Sequence, residues 1–405
     1  MGGRPSGDLA APTDKRSYSY PKVSNLNTLQ TRVPPPPRLL FIDGLRGVAA
    51  LLVVVYHFQE NLSASLALWL PSTVQWLLAN ARLGVEIFFV LSGFVIAHSI
   101  RDGLHSPSYL GRFGLRRSFR LDPPLWGMIA LELSLLWVSQ RVAPSVHVTW
   151  PSWQQLLTNA TYTQHFFGYS DILPVFWSLT YEVQFYVMLV AAAVAKRSWA
   201  PRRAIVAAFL GALYLLSTTI WLREMTVVPR GLFIDRWFQF SLGMFAWLTA
   251  NRKMPTWSFV AICLATLAAA WMGSASVYRQ LSATVAILTA AAILLVQQRD
   301  IMHTTLVNRP IQFLGKISYS LYLIHLPVGW RLITLTKMLG GPVLSPVASS
   351  LVFLAAIFVS IVAAWIFFLA VEAPSIRLAK RVEVPRVHQR PYVNTESNCT
   401  PADRN

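Results

Sequence analysis

Apolar residues in this chain come in long, nearly unbroken runs, not in the alternating rhythm of a half-buried strand. Ten runs of roughly 17–25 residues, the length that crosses about 30 Å of hydrocarbon as a helix, occupy approximately residues 39–58, 83–100, 123–142, 174–195, 204–222, 231–250, 256–273, 280–297, 314–335 and 347–371. The seventh, eighth and ninth are weaker or shorter than the rest. Lipid offers the backbone no hydrogen-bond partners, so each run is read as a helix. The pattern predicts an all-α integral membrane protein with about ten transmembrane helices. A polar stretch rich in Ser, Thr and Pro fills residues 1–38, and a second polar stretch fills 373–405. Both are expected to be disordered tails around a membrane domain at 39–372. The first has no apolar core and is therefore no secretory signal. Met1, Gly2 and Ser6 fit the N-myristoylation pattern, although the spans already anchor the chain.

Composition agrees with the pattern: 54% of residues are hydrophobic and only 13% charged, against about 25% charged in soluble proteins. A net charge of +18 raises the possibility of nucleic acid, but the basic residues flank the runs unevenly. On one side lie Arg101, Arg112, Arg116, Arg117 and Arg120, then Lys196, Arg197, Arg202 and Arg203, then Arg252 and Lys253, then Arg299, Arg309 and Lys316. The other side holds Arg82, Arg141, Arg223, Arg230, Arg279, Arg331 and Lys337. The positive-inside rule puts the richer side and both termini in the cytoplasm. The charge is thus topological, the partner a lipid bilayer, and no nucleic acid is expected. The bilayer is the plasma membrane or the endoplasmic reticulum, according to the host. Two cysteines, Cys263 and Cys399, exclude a disulfide scaffold and a Cys-based zinc site, and no metal is expected.

Ionisable side chains inside such runs are costly and mark function by default. The first run carries Asp43, Arg46 and His57. Asp43 and Arg46 can pair across one turn. Arg46 and His57, eleven residues apart, share a helix face but stand about 16 Å apart along the axis. Arg46 therefore cannot hold His57 directly, though both could line one long cavity. Glu86 and Glu182 belong, like His57, to the outer half of the membrane, and a carboxylate beside a His is the usual general-base arrangement. His98 and His325 are weaker candidates, for which packing is the competing explanation. Asp235 and Arg236 read as a structural pair. Arg112, Arg116, Arg117 and Arg120 suit phosphate recognition, or else simply fix the inner loop.

Taken together these residues look familiar. The segment from Phe41 to His57, with its Arg46-x10-His57 spacing, resembles the opening helix of the acyltransferase 3 family. Four further segments match in order: Gly84 to Gly93, Arg117 to Arg120, Phe176 to Glu182, and Leu314 to His325. The resemblance covers about residues 39 to 380. It implies ten transmembrane helices and transfer of an acyl group, often acetyl, from acyl-CoA to a hydroxyl. It carries over His57 as catalytic base, Arg46 as its motif partner, Glu182 as the acidic position of the fourth span, and Arg117 and Arg120, with Arg116 beside them, as contacts for CoA phosphates. Acetyl-CoA is the expected donor, and a hydroxylated small-molecule natural product or glycan the expected acceptor. Asp122, where relatives have an aromatic, sets an acid beside the proposed phosphate site. The alternative from a different class is a permease using the same Arg, His and Glu as a substrate or proton path. The sequons at Asn61 and Asn159 fall on the outer side of this topology and the one at Asn398 on the inner side, with Asn159 expected to be the most readily glycosylated.

Overall fold

The computed structural model describes Gly2 and residues 39–100, 107–142, 149–198, 202–225, 231–274 and 276–382. The expected tails at 3–38 and 383–405, with the Asn398 sequon, lie outside the described residues. Each apolar run is helical, and no strand occurs among the described residues. In chain order the helices are α1 (Leu40–Leu66), α2 (Ser72–Ala79), α3 (Gly84–Ser99), α4 (Pro107–Val142), α5 (Trp153–Ala160), α6 (Phe176–Ser198), α7 (Arg202–Leu222), α8 (Trp237–Ala250), α9 (Thr256–Gly273), α10 (Val277–Gln298), α11 (Arg309–His325), α12 (Arg331–Gly340), α13 (Pro346–Phe367) and α14 (Ala373–Arg381). A π-helical turn at Leu326–Trp330 joins α11 to α12, and another at Phe368–Glu372 joins α13 to α14.

Among the described residues seven helices are long and apolar enough to cross a membrane: Leu40–Leu66, Ser72–Ser99, Gly111–Val142, Ile205–Leu222, Thr256–Gly273, Val277–Gln298 and Pro346–Arg381. The chain is an all-α, multi-pass membrane protein. The runs expected at 174–195, 231–250 and 314–335 are helical as well, but more polar or shorter. Glu182 and Gln184 lie within the continuous helix α6, α8 has 14 residues, and the α11–α12 rod carries Arg309, Lys316, Arg331 and Lys337. The helix from Pro346 continues to Arg381, so the boundary expected at 372 falls inside it. α14 packs on α4 with Ser375 and Ala379 buried.

Helices in lipid gain little from mutual hydrophobic burial, so close approach of small residues decides which of them touch. Gly47 of α1 meets Gly315 of α11 backbone to backbone: a Cβ on Gly47 would lie 2.5 Å from the Gly315 nitrogen, and one on Gly315 would strike the Asp43 carbonyl. Gly93 of α3 and Gly243 of α8 cross in the same reciprocal way, against the carbonyls of Phe240 and Val90. Two apolar clusters grow around these crossings. One gathers Phe89, Phe94, Phe185, Trp237 and Phe240 from α3, α6 and α8. The other gathers Phe58, Leu125, Met128, Leu321 and Leu323 from α1, α4 and α11.

Candidate active site

The two glycine crossings leave space between α1, α3, α4, α6 and α11. That cavity is lined by Arg46, Ser92, Arg117, Glu182, Tyr186 and Tyr319 among others. Three of the sequence-derived candidates, Arg46, Arg117 and Glu182, therefore meet in one place. Glu182 accepts hydrogen bonds from Ser92 Oγ at 2.9 Å and from the Tyr186 hydroxyl. The Arg117 guanidinium lies 4.9 Å over the Tyr186 ring, a cation–π contact. Arg120 is one turn further along the same face of α4 and within electrostatic reach of Arg46, Arg117, Glu182 and Glu372. A step of one residue turns a helix by about 100°, which places Arg116, like Arg112, on the exposed side of α4. Asp122 is held by Ser118 Oγ and by the Tyr162 hydroxyl at 3.0 Å.

Glu372 completes this cluster and was not among the candidates. It is buried in the second π-helical turn and accepts from the Ser320 backbone N–H at 3.1 Å and from Ser320 Oγ at 2.5 Å. The available signal was a lone acid closing the apolar run at 347–371 just before Pro374, but at a presumed domain edge it passes for an interfacial charge. Of the groups lining the cavity, the guanidiniums of Arg46 and Arg117 face one carboxylate, Glu182, while Arg120, Glu372 and Asp122 lie around them within electrostatic reach. An uncompensated cation in a low-dielectric site is expensive, and the buried Arg46 Nε has no hydrogen-bond partner among the described residues. The arrangement favours an anionic ligand.

His57 stands apart from the cavity lining, as its eleven-residue separation from Arg46 requires. Its Nδ1 is 3.5 Å from the Glu60 carboxylate, one turn along α1, and its side chain is 18% exposed. Its ring lies 5.2 Å from that of His325 and 6.3 Å from that of Trp330. Tyr322 connects the two regions: it lines the cavity, its ring is 6.2 Å from His325, and its hydroxyl is 2.5 Å from Ser178 Oγ. Phe88, also at the cavity wall, meets Tyr322 edge to face at 5.7 Å.

Glu86 is placed elsewhere. Fully buried, it accepts from Arg236 Nη1 at 3.0 Å and from the Tyr278 hydroxyl at 3.2 Å. Arg236 in turn lies 3.7 Å over Trp221, and its contact with Asp235 is the longer one, at 3.8 Å. The acid beside His57 is Glu60, which sequence reasoning missed although its i,i+3 position was a readable signal. Among the described residues no group of three or more His, Cys, Asp or Glu is placed to hold a metal ion.

The loop between α4 and α6 carries the Asn159 sequon. Asn159 is 1% exposed. Its amide nitrogen donates to the carbonyls of Gln155 and Ser170 at 2.9 and 3.1 Å, and its oxygen accepts from the Ile172 N–H at 3.0 Å. A side chain so engaged is closed to glycosylation in the folded protein. Trp126 of α4 donates to the Ala160 carbonyl at 3.0 Å, so this segment is packed against the helices instead of hanging free.

Comparison with known proteins agrees with the resemblance read from the motifs. The acyltransferase 3 profile, described as an acyltransferase domain, matches residues 39–369. BcsY of Komagataeibacter xylinus, named as a membrane-bound transacylase, is 30% identical over 72% of this chain and 73% of its own length. YrhL of Bacillus subtilis, named for peptidoglycan O-acetyl transfer, is 28% identical over 75% of this chain, and this chain spans only 50% of YrhL. Nodulation protein 10 of Rhizobium leguminosarum is 26% identical over 62% of this chain and 73% of its own length. No solved structure matches. With a family profile covering residues 39–369 and a relative of this extent, the chain belongs to the acyltransferase 3 family of membrane acyltransferases.

Proposed function

We propose that this protein transfers an acyl group, acetyl in the simplest case, from acyl-CoA to a hydroxyl of a small-molecule natural product or a glycan. The observation that carries the reading is the convergence of Arg46, Arg117 and Glu182, from three separate segments, on one cavity with excess positive charge. Acyl-CoA is an anionic donor whose phosphates match paired guanidinium donors. In this reading Arg117 and Arg120 receive the phosphates, Arg46 follows the pantetheine arm, and Glu182 keeps Arg117 and Tyr186 in place. Arg116 and Arg112, on the exposed face, guide the donor in from the cytoplasm. Ten crossings with both termini cytoplasmic, the topology favoured by the basic-residue count, give the donor that entry side.

The thioester carbon reaches His57 past Tyr322 and Phe88. The acceptor hydroxyl attacks that carbon, its O–H proton passes to His57, and a C–O bond forms. The C–S bond then breaks, and the departing CoA sulfur takes the proton from His57. The products are an ester and free CoA thiol. A positioned base contributes about 10²–10⁴-fold. Glu60 holds the His57 ring, while Glu86 ties α3 to Arg236 and remains outside the chemistry. Glycan acceptors are suggested by relatives named for peptidoglycan O-acetyl transfer. The test is CoA-thiol release and ester formation by purified protein given acetyl-CoA and candidate acceptors. Failure of acetyl-CoA to bind would remove the reading.

A further inference from the structure

Most hydroxyls in the cavity wall are already engaged. Ser92 Oγ and the Tyr186 hydroxyl donate to Glu182, the Tyr319 hydroxyl donates to the Leu121 carbonyl at 3.0 Å, and Ser178 and Tyr322 bond each other. Ser318, in the same wall, is the exception. It is 1% exposed, and its Oγ has no hydrogen-bond partner among the described residues. A serine inside a helix can donate to the carbonyl four residues back, as Ser134 does to Ala130 and Ser375 to Val371. Ser318 forgoes that bond, and a buried hydroxyl left unmatched is costly. A serine kept only for packing would be replaced by alanine at no loss.

The position of Ser318 along the bundle points to its ligand. Helices α1 and α11 run side by side from the Gly47–Gly315 crossing to the contact between the His57 and His325 rings, ten residues further along each helix. Ser318, Tyr322 and His325 follow at spacings of four and three residues, which keeps them on one face of α11. At about 1.5 Å per residue, Tyr322 stands about 5 Å and Ser318 about 10 Å short of the His57 level. An acyl-CoA whose thioester lies at His57 would lay its pantetheine arm along this face. At about 3.5 Å per three bonds of extended chain, its two amide carbonyls, four and eight bonds from sulfur, lie about 5 and 9 Å from that atom. The nearer amide falls beside Tyr322, whose hydroxyl is taken, and the farther one at Ser318.

We infer that Ser318 is a specificity-determining residue for the donor: its hydroxyl donates to the carbonyl of the pantetheine amide farther from sulfur. That bond sets how far the thioester reaches towards His57. The inference rests on the reading of acyl-CoA as the donor. An amide carbonyl only accepts and a serine hydroxyl can donate, so the bond satisfies the one hydroxyl that the wall leaves unmatched. Arg46, whose buried Nε is likewise unpartnered, stands about 16 Å from the His57 level, on the phosphate side of the same arm.

The experiment is titration calorimetry of the purified full chain with two donors. One is acetyl-CoA, and the other is an acetyl-CoA analogue in which the farther amide is replaced by a saturated two-carbon link. Wild type should bind the analogue about fivefold more weakly than acetyl-CoA, the scale of one neutral hydrogen bond. Ser318→Ala should bind acetyl-CoA about fivefold more weakly than wild type does. The same variant should bind the analogue as well as wild type does, because the bond is then already absent. Equal weakening of both donors by Ser318→Ala would mark a packing defect and overturn the inference. So would unchanged affinity for acetyl-CoA in Ser318→Ala, which would leave the hydroxyl without a use. Failure of wild type to bind acetyl-CoA at all would instead remove the donor reading, and this inference with it.

Discussion

Single charged residues inside the helices fall into two populations with different expected phenotypes. Arg46, Arg117, Arg120, Glu182 and Glu372 gather at the cavity, whereas other pairs bolt helices together. Arg331 grips Glu132 through two bonds of 2.6 and 2.7 Å, joining α12 to α4. Arg331 is 31% exposed, so removing one partner of this half-buried pair costs less than the roughly 3–5 kcal/mol of a fully buried one. Glu132→Ala should therefore lower the melting temperature of the detergent-solubilised protein by several degrees while KM for acetyl-CoA stays near wild type. Arg117→Ala and Arg120→Ala should do the reverse, weakening acetyl-CoA binding about tenfold or more, as titration calorimetry would report, with a smaller thermal effect. If both classes only lose stability, the cavity arginines are structural. This division was half legible in the sequence. A charge within an apolar run is conspicuous, which is how Arg46 and Glu182 were found, whereas Arg117 belonged to the basic cluster between two runs. Glu60 and Glu372 sit just past the ends of the apolar runs at 39–58 and 347–371, where a charge is ordinary, and the partner of Glu86 is 150 residues away in the chain, beyond the reach of spacing arguments.

Among the helices, the glycine crossings fix the frame that holds the cavity. Gly93 and Gly243 allow no Cβ without backbone displacement, so Gly93→Ala should separate α3 from α8 and cost activity and stability together. The control is Gly211→Ala, where the added methyl meets nothing within 4 Å; equal losses in both variants would show that the crossing is unimportant. The apolar runs announced their helices because the hydrocarbon requirement is written in length and composition. The loop carrying α5 carried no such signal. Its fold depends on Trp126 and Asp122 of α4, tertiary partners that an exposed polar sequence does not reveal. Oligosaccharyltransferase presented with the folded, purified protein should accordingly leave Asn159 unmodified, with no glycosidase-sensitive shift lost in Asn159→Gln. A shift that depends on Asn159 would mean that this segment opens in the native protein.

For the molecule as a whole, the proposed reaction joins a cytoplasmic anionic donor to a hydroxyl acceptor within a membrane body of the acyltransferase 3 family. Its central claim is that acyl-CoA occupies the arginine-lined cavity and that His57 takes the proton of the attacking hydroxyl. Both halves are tested together by comparing wild type and His57→Ala, reconstituted in liposomes, for binding and turnover of radiolabelled acetyl-CoA in the presence of an extract containing the acceptor. The account predicts equal acetyl-CoA affinity for the two proteins, alkali-labile labelled ester and free CoA from wild type, and a loss of at least about 10²-fold in His57→Ala. Wild-type turnover in His57→Ala, or no binding of acetyl-CoA by the wild-type protein, would contradict it.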